Sequence, residues 1–335
     1  MATTSVPGDI DPFLREGFDH HRRELTGYCY RMLGSPSEAD DAVQDTLLKA
    51  WQSYDRFEGR SSLRTWLYRI AHNVCMDMHR SPQRRARPME MGPSTRVDDV
   101  VLGEWREETL FVQPVRDEEV LDLGGDPADV ATARESIRLA FVAALQHLPA
   151  KQRSALILCD VLRWPAADVA VLLETTVASI NSALQRARAT LEQRRDEPLD
   201  TRLDPAHQEL LARYVDAFER YDIPAVVALM REDAVLSMPP WDTWLAGRDE
   251  VGAWMLGPGI ACKGSALLPI DVNGTAGFAA YKPGDDGRRH PWGIQVIEVA
   301  GGRIVGHHNF IGPDLFAHFG LPDHLPGRGA VDTHP

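Results

Sequence analysis

Cysteine is scarce in this chain. Cys29, Cys75, Cys159 and Cys262 are its only four in 335 residues, and no two are spaced as CxxC. That gives no sign of a disulfide framework or a thiolate metal site; lying mostly in apolar periodic runs, they read as buried, reduced thiols. Positive charge is also in short supply, with 36 Lys and Arg against 49 Asp and Glu and a formal net charge of −13. Affinity for phosphate comes from cations, so the chain does not coat nucleic acid over its whole surface, and any DNA contact has to be local. No uncharged apolar run approaches the ~20 residues of a membrane-spanning helix. The first residues lack the basic start and apolar run of a secretory signal. The expected location is the cytoplasm, with no membrane partner.

What is present is length enough for about two domains, or three small ones, each with its own core. Cations gather in two places: Arg80, Arg84, Arg85 and Arg87, then Arg186, Arg188, Arg194 and Arg195. The most informative stretch runs from Arg56 to Arg80, a loop feeding a helix. At ~100° per residue, Leu67, Ile70, Val74 and Met78 fall on one side, while Arg69, Asn73, Asp77 and Arg80 form a polar stripe. Trp66 flanks that stripe, which places a stacking surface beside guanidinium groups. Aromatic faces hold unstacked bases at ~1–3 kcal/mol each while cations track the backbone. The loop before the helix carries Gly59, Arg60, Ser61 and Ser62, a flexible hinge and short hydroxyls suited to wrapping a flipped base. The spacing is equally that of an ordinary amphipathic helix with a solvated face and a half-buried Trp.

The same stretch resembles the promoter-melting, −10-reading segment of the extracytoplasmic-function (ECF) branch of bacterial sigma-70 factors. The residues that carry the resemblance are Phe57, Gly59, Ser61, Thr65, Trp66, Leu67, Ile70, Ala71 and Asn73. It implies −10 DNA contacts by Arg60, Ser61, Ser62, Trp66, Arg69, Asn73, Asp77 and Arg80.

From Asp11 to Leu33 the apolar spacing predicts one helix, ended by Gly34, Ser35 and Pro36. Ser37 is the expected cap of the next, which runs to Trp51 and leaves Asp41, Gln44, Asp45 and Lys49 outward. On spacing alone these are a solvated face. The run Asp40–Trp51 is similar to the sigma segment that docks on the clamp coiled coil of core RNA polymerase, which implies that those four residues contact the polymerase, whose β and β′ subunits are the expected partners.

Past Arg80 the periodicity dissolves into an acidic stretch with Gly and Pro, the simplest reading of which is a flexible connector over 83–130. It nonetheless holds Trp105, Leu110, Phe111, Val112, Leu121 and Leu123, so a loop docked on a surface stays open. In sigma factors the corresponding connector threads the polymerase active channel.

Helical spacing returns from Ala128 to Leu148, then over about Lys151–Leu162, Ala166–Leu173 and Val177–Arg195. A short helix, a brief turn and a longer helix make a helix-turn-helix. In the last helix Val177, Ile180, Leu184, Ala187 and Leu191 are predicted inward. Ala178, Ser179, Asn181, Ser182, Gln185 and Arg186 face out, where small and amide side chains enter a major groove and Arg186 reaches a phosphate or guanine. The stretches from Ala144 to Leu158 and from Ser182 to Arg188 resemble the −35-reading domain of sigma factors. Glu174 stands where the turn often has Gly, and Ala183 where Arg is common.

After Pro198 the character changes. Helices at His207–Glu219 and Ile223–Met230 precede strand-like runs at Ala234–Met238, Phe278–Tyr281, Gly293–Val299 and Arg303–Ile311, with a hairpin signal at Ala300, Gly301 and Gly302. Tyr214–Phe218, Asp233–Pro240, Gly247–Asp249 and Gly302–Ile304 resemble the SnoaL-like, NTF2-type domain, whose fold commonly encloses a pocket. Tyr214, Phe218, Met238, Trp241, Trp292 and His308 are the candidate lining, with Trp244 and Trp254 nearby, although aromatic stripes are more often packing. His307 and His308 are adjacent on a strand and must face opposite sides, so they cannot share a metal. The sequence names no catalytic residue, metal or cofactor.

The expected fold is multidomain: two all-α domains over 11–82 and 131–197, sigma region 2 and a helix-turn-helix region 4, followed by an α+β NTF2-like cone over 206–325. The resemblance implies a non-enzymatic transcription initiation factor whose partners are core RNA polymerase, promoter DNA and, in the cone, a small ligand. Two other classes fit parts of the chain. An NTF2-type enzyme targeted to DNA would turn over a substrate without promoter-specific transcripts. A stand-alone repressor would bind duplex tightly without polymerase.

Overall fold

Ser35 accepts a hydrogen bond from the Glu38 N–H and Pro36 follows at the first helical position, so the cap of the second helix stands two residues before the Ser37 expected from sequence. Pro at that position has no N–H to leave unpaired. This computed structural model describes residues 12–59, 61–78, 85–103, 105–194, 198–200 and 205–327. They fall into two units, one of 1–84, 118–136 and 141–195, the other of 85–117, 137–140 and 196–335.

The first unit is helical. Helices α1 (Pro12–Leu33), α2 (Pro36–Ser53) and α3 (Leu63–Met78) pack around Phe18, Leu25, Tyr28, Cys29, Val43, Leu67, Ala71 and Val74. The expected single helix over Ala128–Leu148 is broken into α4 (Pro127–Glu135) and α5 (Leu139–Gln146). At the break the Ser136 carbonyl accepts from the Arg31 guanidinium and the Ser136 hydroxyl turns back to the Ala133 carbonyl, so the helical ladder stops there. Helix α6 (Ala150–Leu156) runs on into a wider π turn over Ile157–Val161, and α7 (Ala166–Leu172) and α8 (Val177–Glu192) complete the helix-turn-helix. Thr176 caps α8 by accepting from the Ser179 N–H. Glu174 takes up φ +51° in the turn, the left-handed conformation that glycine supplies at least cost. Val177, predicted inward, is 43 % exposed, because it stands at the first turn of α8, beyond the reach of the core; Ile180, Leu184 and Ala187 are buried as expected.

The second unit is a mixed sheet covered by helices. Strands β1 (Met230–Ser237), β2 (Trp244–Ala246), β3 (Ala266–Val272), β4 (Thr275–Pro283), β5 (Arg288–Ala300), β6 (Arg303–Ile311) and β7 (Leu325–Pro326) take the order β2-β1-β6-β5-β4-β3, with β7 on β5. All pairs are antiparallel except β1 with β6. The Gly301–Gly302 turn joins β5 to β6 with positive φ at both residues, the hairpin twist that matches flanking strands. Asn273 and Gly274 do the same between β3 and β4; that Asn-Gly hairpin signal was passed over in the sequence. Helices α9 (Pro205–Arg220), α10 (Ile223–Ala228) and α11 (Arg248–Leu256) bury Tyr214, Phe218, Val226, Val251 and Trp254 in a core shared with Leu236, Phe278 and Ile297 of the sheet.

Much of the stretch expected to be a flexible connector is docked in this second unit. The Thr95 N–H donates to the Trp244 carbonyl, that of Arg106 to Pro240, and that of Val97 to the Glu250 carboxylate. Val115 and Asn273 exchange two hydrogen bonds, and Phe111, Val112 and Val115 are buried. Farther on, Val120 and Leu121 are buried in the helical unit. Acidic composition suggested mobility, but enough apolar side chains and paired main-chain groups are present to offset the cost of ordering.

Candidate functional site

Three surfaces and one cavity carry the candidate residues. On α2, Asp41, Gln44, Asp45 and Lys49 are all exposed, while Ala42, Val43, Thr46 and Ala50 fill the core between them. Leu48, which sequence reasoning left out, is 50 % exposed beside them. An exposed Leu among charges on a rigid helix gives the patch an apolar centre, and the signal was its absence from the inward stripe. Lys49 also lies 3.8 Å from Asp77 on α3.

On α3, Trp66 is half-buried and forms one corner of an aromatic cluster, 4.8 Å from Phe57 and 6.4 Å from Tyr54 between ring centres. The indole is therefore supported from beneath and not sealed in the core. Tyr54 was missed in the sequence, although its spacing from Phe57 on one turn was visible. Gly59 has φ +67°, so the loop needs glycine there. Asn73 and Asp77 are exposed and Ser61 and Arg69 partly so. Ser62 is occupied as the helix cap, accepting from the Thr65 N–H and lying 2.9 Å from the Thr65 hydroxyl. Arg60 and Arg80 lie outside the described residues. The basic patch expected after α3 is partly dismantled: Arg85 is buried and donates to the Glu108 and Phe111 carbonyls, and Arg87 pairs with Glu90 at 3.3 Å.

On α8, Ala178, Ser179, Asn181, Ser182, Gln185 and Arg186 are all exposed on one face. Arg188 is held by a two-pronged bond to Asp160, at 2.9 and 2.7 Å, so Arg186 is the freer cation of the pair.

Helices α1, α3, α6 and α7 meet through buried polar groups. Tyr28 and Ser154 hydroxyls are 2.8 Å apart, and Nδ1 of His72 lies 3.0 Å from Ser154 and 3.2 Å from Tyr28. Burial, with Lys151 nearby, pushes His72 down to about 4, so it is neutral here. Arg153 is wholly buried and donates to the carbonyls of Met32, Gln146 and Leu148 and to the Gln146 side chain. Trp164 packs 4.9 Å from Tyr68 with the Arg64 guanidinium 4.6 Å from its ring, and Arg69 reaches the Val171 carbonyl at 3.4 Å. The helix-turn-helix thus rests on the flank of α3.

In the second unit a small cavity lies under α11. Phe218, Met238 and Trp292 line it as expected, together with Trp254, Gln295 and His307 among others. Tyr214 is buried beside it and donates to Gln295 Oε1 at 2.8 Å. Trp241 and His308, also expected there, are elsewhere: the Trp241 indole N–H donates to the Gly103 carbonyl on the docked connector, and His308 faces the other side of the sheet. There Nδ1 is 2.8 Å from the Ser237 hydroxyl and Nε2 3.3 Å from Glu298. Burial raises the Glu298 pKa, but His308, Arg87 and Arg138 outweigh it and the net shift is downward. Trp244, likewise, donates to Gly92 of the connector. Among the described residues no cluster of three or more His, Cys, Asp or Glu could hold a metal, and no single helix is long and apolar enough to cross a membrane.

A helical body with an exposed helix-turn-helix reading face and an aromatic–cationic helix, joined to an α+β cone, defines a DNA-reading protein with an appended NTF2-like domain. Family models agree: sigma-70 region 2 matches 18–85, sigma-70 region 4 matches 138–191 and a SnoaL-like domain matches 211–307. The chain is similar to the ECF RNA polymerase sigma factor SigG of Mycobacterium tuberculosis H37Rv, 41 % identical over 311 residues, 91 % of this chain and 83 % of that protein. It is also similar to SigJ of the same strain, 28 % identical over 313 residues, 89 % and 92 % of the two chains. The crystal structure of M. tuberculosis SigJ superposes over 92 % of this chain and 99 % of that one, with a TM-score of 0.59 and 26 % identity. The chain belongs to the ECF RNA polymerase sigma factors.

Proposed function

We propose that this ECF sigma factor docks on the β and β′ subunits of core RNA polymerase through the α2 face of Asp41, Gln44, Asp45, Leu48 and Lys49. Trp66, backed by Phe57 and Tyr54, captures a base flipped from the −10 element, with Arg69, Asn73 and Asp77 along the strand. The exposed face of α8, from Ala178 to Arg186, reads the −35 element in the major groove. The observation that carries this reading is the half-buried Trp66 set against Phe57, ring centres 4.8 Å apart and tilted by 35°, beside the Arg69 stripe, a platform for an unstacked base.

The cone regulates by holding the connector. If residues 85–117 must leave the Trp241–Trp244 loop to thread the polymerase channel, capture and initiation exclude each other, and the cone restrains initiation until the connector is released. The packing of α7 on α3 adds a second restraint that polymerase binding relieves. The protein acts in the cytoplasm, where its template is. Transcription from a promoter library with purified core polymerase, with the full chain and with a chain ending near Pro198, tests both parts. Promoter-specific transcripts that depend on the chain and change in yield without the cone are expected; absence of transcripts overturns the first part, and unchanged yield the second.

A further inference from the structure

Helix α8 carries two cations, Arg186 and Arg188, and the fold itself engages one of them. Asp160, in the π turn that follows α6, holds the Arg188 guanidinium at 2.9 and 2.7 Å. Contacts between cations and phosphates fix the register of a protein on DNA and add affinity that is the same for every sequence. With Arg188 turned to Asp160, discrimination by this helix falls to contacts with base edges.

The groups placed to make those contacts are two amides. Asn181 and Gln185 are exposed, and among the described residues no group hydrogen-bonds either side chain. They stand one turn apart on one column of α8, with Val177 a turn earlier on the same column and 43 % exposed. Ile180, Leu184 and Ala187 anchor the other side of the helix in the core. Thr176 accepts from the Ser179 N–H, which fixes the first turn, the part of the second helix that meets base edges in this motif.

A side-chain amide sets a carbonyl acceptor beside N–H donors. Adenine offers the complement in the major groove, a donor at N6 and an acceptor at N7, whereas guanine offers two acceptors and meets the amide oxygen lone pair to lone pair. Four residues of helix rise about 6 Å and stacked bases about 3.4 Å, so the two amides reach base pairs one or two steps apart. We propose that Asn181 and Gln185 are specificity-determining residues for the −35 element, each pairing through two hydrogen bonds with an adenine, the two adenines one or two steps apart. Val177 adds an apolar surface of the kind that meets the thymine methyl of an A·T pair. The inference rests on the −35 reading of α8 and adds to it the identity of the bases.

The test uses the full chain bound to core polymerase and a promoter on which it initiates, with each −35 base pair varied in turn and transcript yield measured at limiting DNA. At two positions one or two steps apart, A·T should exceed the other pairs by about 5–150-fold. At those positions 7-deazaadenine, which keeps base pairing and N6 but lacks N7, should cost about 2–10-fold. Asn181→Ala should level the preference at one position and Gln185→Ala at the other. Asn181→Arg should move its position from adenine to guanine, whose O6 and N7 accept from a guanidinium, a change that a purely structural role does not produce. Both side chains are exposed, and Ala and Arg are strong helix formers, so the variants keep the fold. Indifference to base identity, indifference to the missing N7, or variants that lower yield equally on every sequence overturn the proposal. Each of those results still shows promoter-specific transcription, so the sigma reading survives them; a chain that yields no such transcripts takes both down.

Discussion

His307 and His308 are neighbours on β6 that face opposite sides of the sheet, His307 toward the Tyr214 phenol at 3.1 Å and His308 toward the Glu298 carboxylate at 3.3 Å. The second side is where Arg87, at the start of the docked connector, and Arg138 lower the Glu298 pKa. Removing one partner of a buried charge cluster leaves the others uncompensated, typically at ~3–5 kcal/mol. Glu298→Gln is therefore expected to lower the stability of the cone by roughly 3 kcal/mol in denaturant unfolding and to speed tryptic cleavage at Arg96 and Arg106. A variant with native cleavage rates would show that Glu298 does not hold the connector.

Trp66→Ala removes the proposed stacking platform and leaves α2 untouched. Stacking at ~1–3 kcal/mol per base corresponds to a loss of about 5–150-fold in strand opening, measured as permanganate reactivity of −10 thymines. Affinity for core polymerase should stay within about twofold. Equal loss of both would mean that Trp66 acts by supporting the helical bundle.

Leu48→Lys tests the apolar centre of the α2 face. Interface energy concentrates in a few desolvated side chains, ~2 kcal/mol or more each, so core affinity should fall by about 30-fold in a competition assay. Folding should be unaffected, because the side chain is half in solvent. An unchanged affinity would move the docking surface off α2.

Acid should destabilise both units through two buried histidines. An unfolded histidine takes up its proton near 6.5, whereas burial keeps His72 neutral down to about 4 and His307 down to about 3. Below pH 6.5 the unfolded chain binds more protons than the folded one, and each histidine costs about 1.4 kcal/mol per pH unit. The loss runs from 6.5 to about 4 for the helical unit and to about 3 for the cone. Glu298, with its folded pKa lowered, contributes stability present above the unfolded carboxyl value of ~4.3 and lost only below it, so it is silent in most of this window. Guanidinium unfolding at pH 7 and pH 5 should differ by roughly 2 kcal/mol in each unit; no difference would mean that water reaches both rings.

What could be read in the sequence was what is local. Trp66, Phe57 and Asn73 lie within 17 residues, and the outward face of α8 is one stripe of one helix, so spacing places these side chains, while the DNA-contact role came from the family resemblance. The cavity was half legible because it is assembled from elements spanning Phe218 to Asn309, and a strand pattern does not reveal which of two adjacent histidines points inward. His308 was chosen, and His307 is the one on the wall. Arg85 looked like part of a local basic patch because charge counts as exposed until a partner is known, and its partners are main-chain carbonyls at Glu108 and Phe111, invisible to composition. The connector misled for the same reason: its acidic residues are plain in the sequence, while its hydrogen bonds to Pro240, Trp244 and Glu250 exist only in the fold.

Trp164 joins α7 to α3, 4.9 Å from Tyr68 and under the Arg64 guanidinium at 4.6 Å, with Arg69 bonded to Val171 close by. Arg69 belongs to the stripe proposed to contact the −10 strand, so on that proposal each hydrogen bond it makes to α7 competes with one to DNA. The ring contacts contribute about 0.5–2 kcal/mol apiece, and that is the size of population shift a substitution can release. Trp164→Leu keeps an apolar side chain at the site but loses the cation–π and ring–ring contacts, so the packed arrangement should weaken by about 1–2 kcal/mol. The free chain should then bind a single-stranded −10 oligonucleotide about 5–30-fold more tightly in fluorescence anisotropy without polymerase. Binding to a −35 duplex should change little, because the α8 face is already exposed. A variant that folds with native helicity and shows no gain in single-strand affinity would mean that α7 does not obstruct the −10 surface, and that release of the connector alone limits initiation.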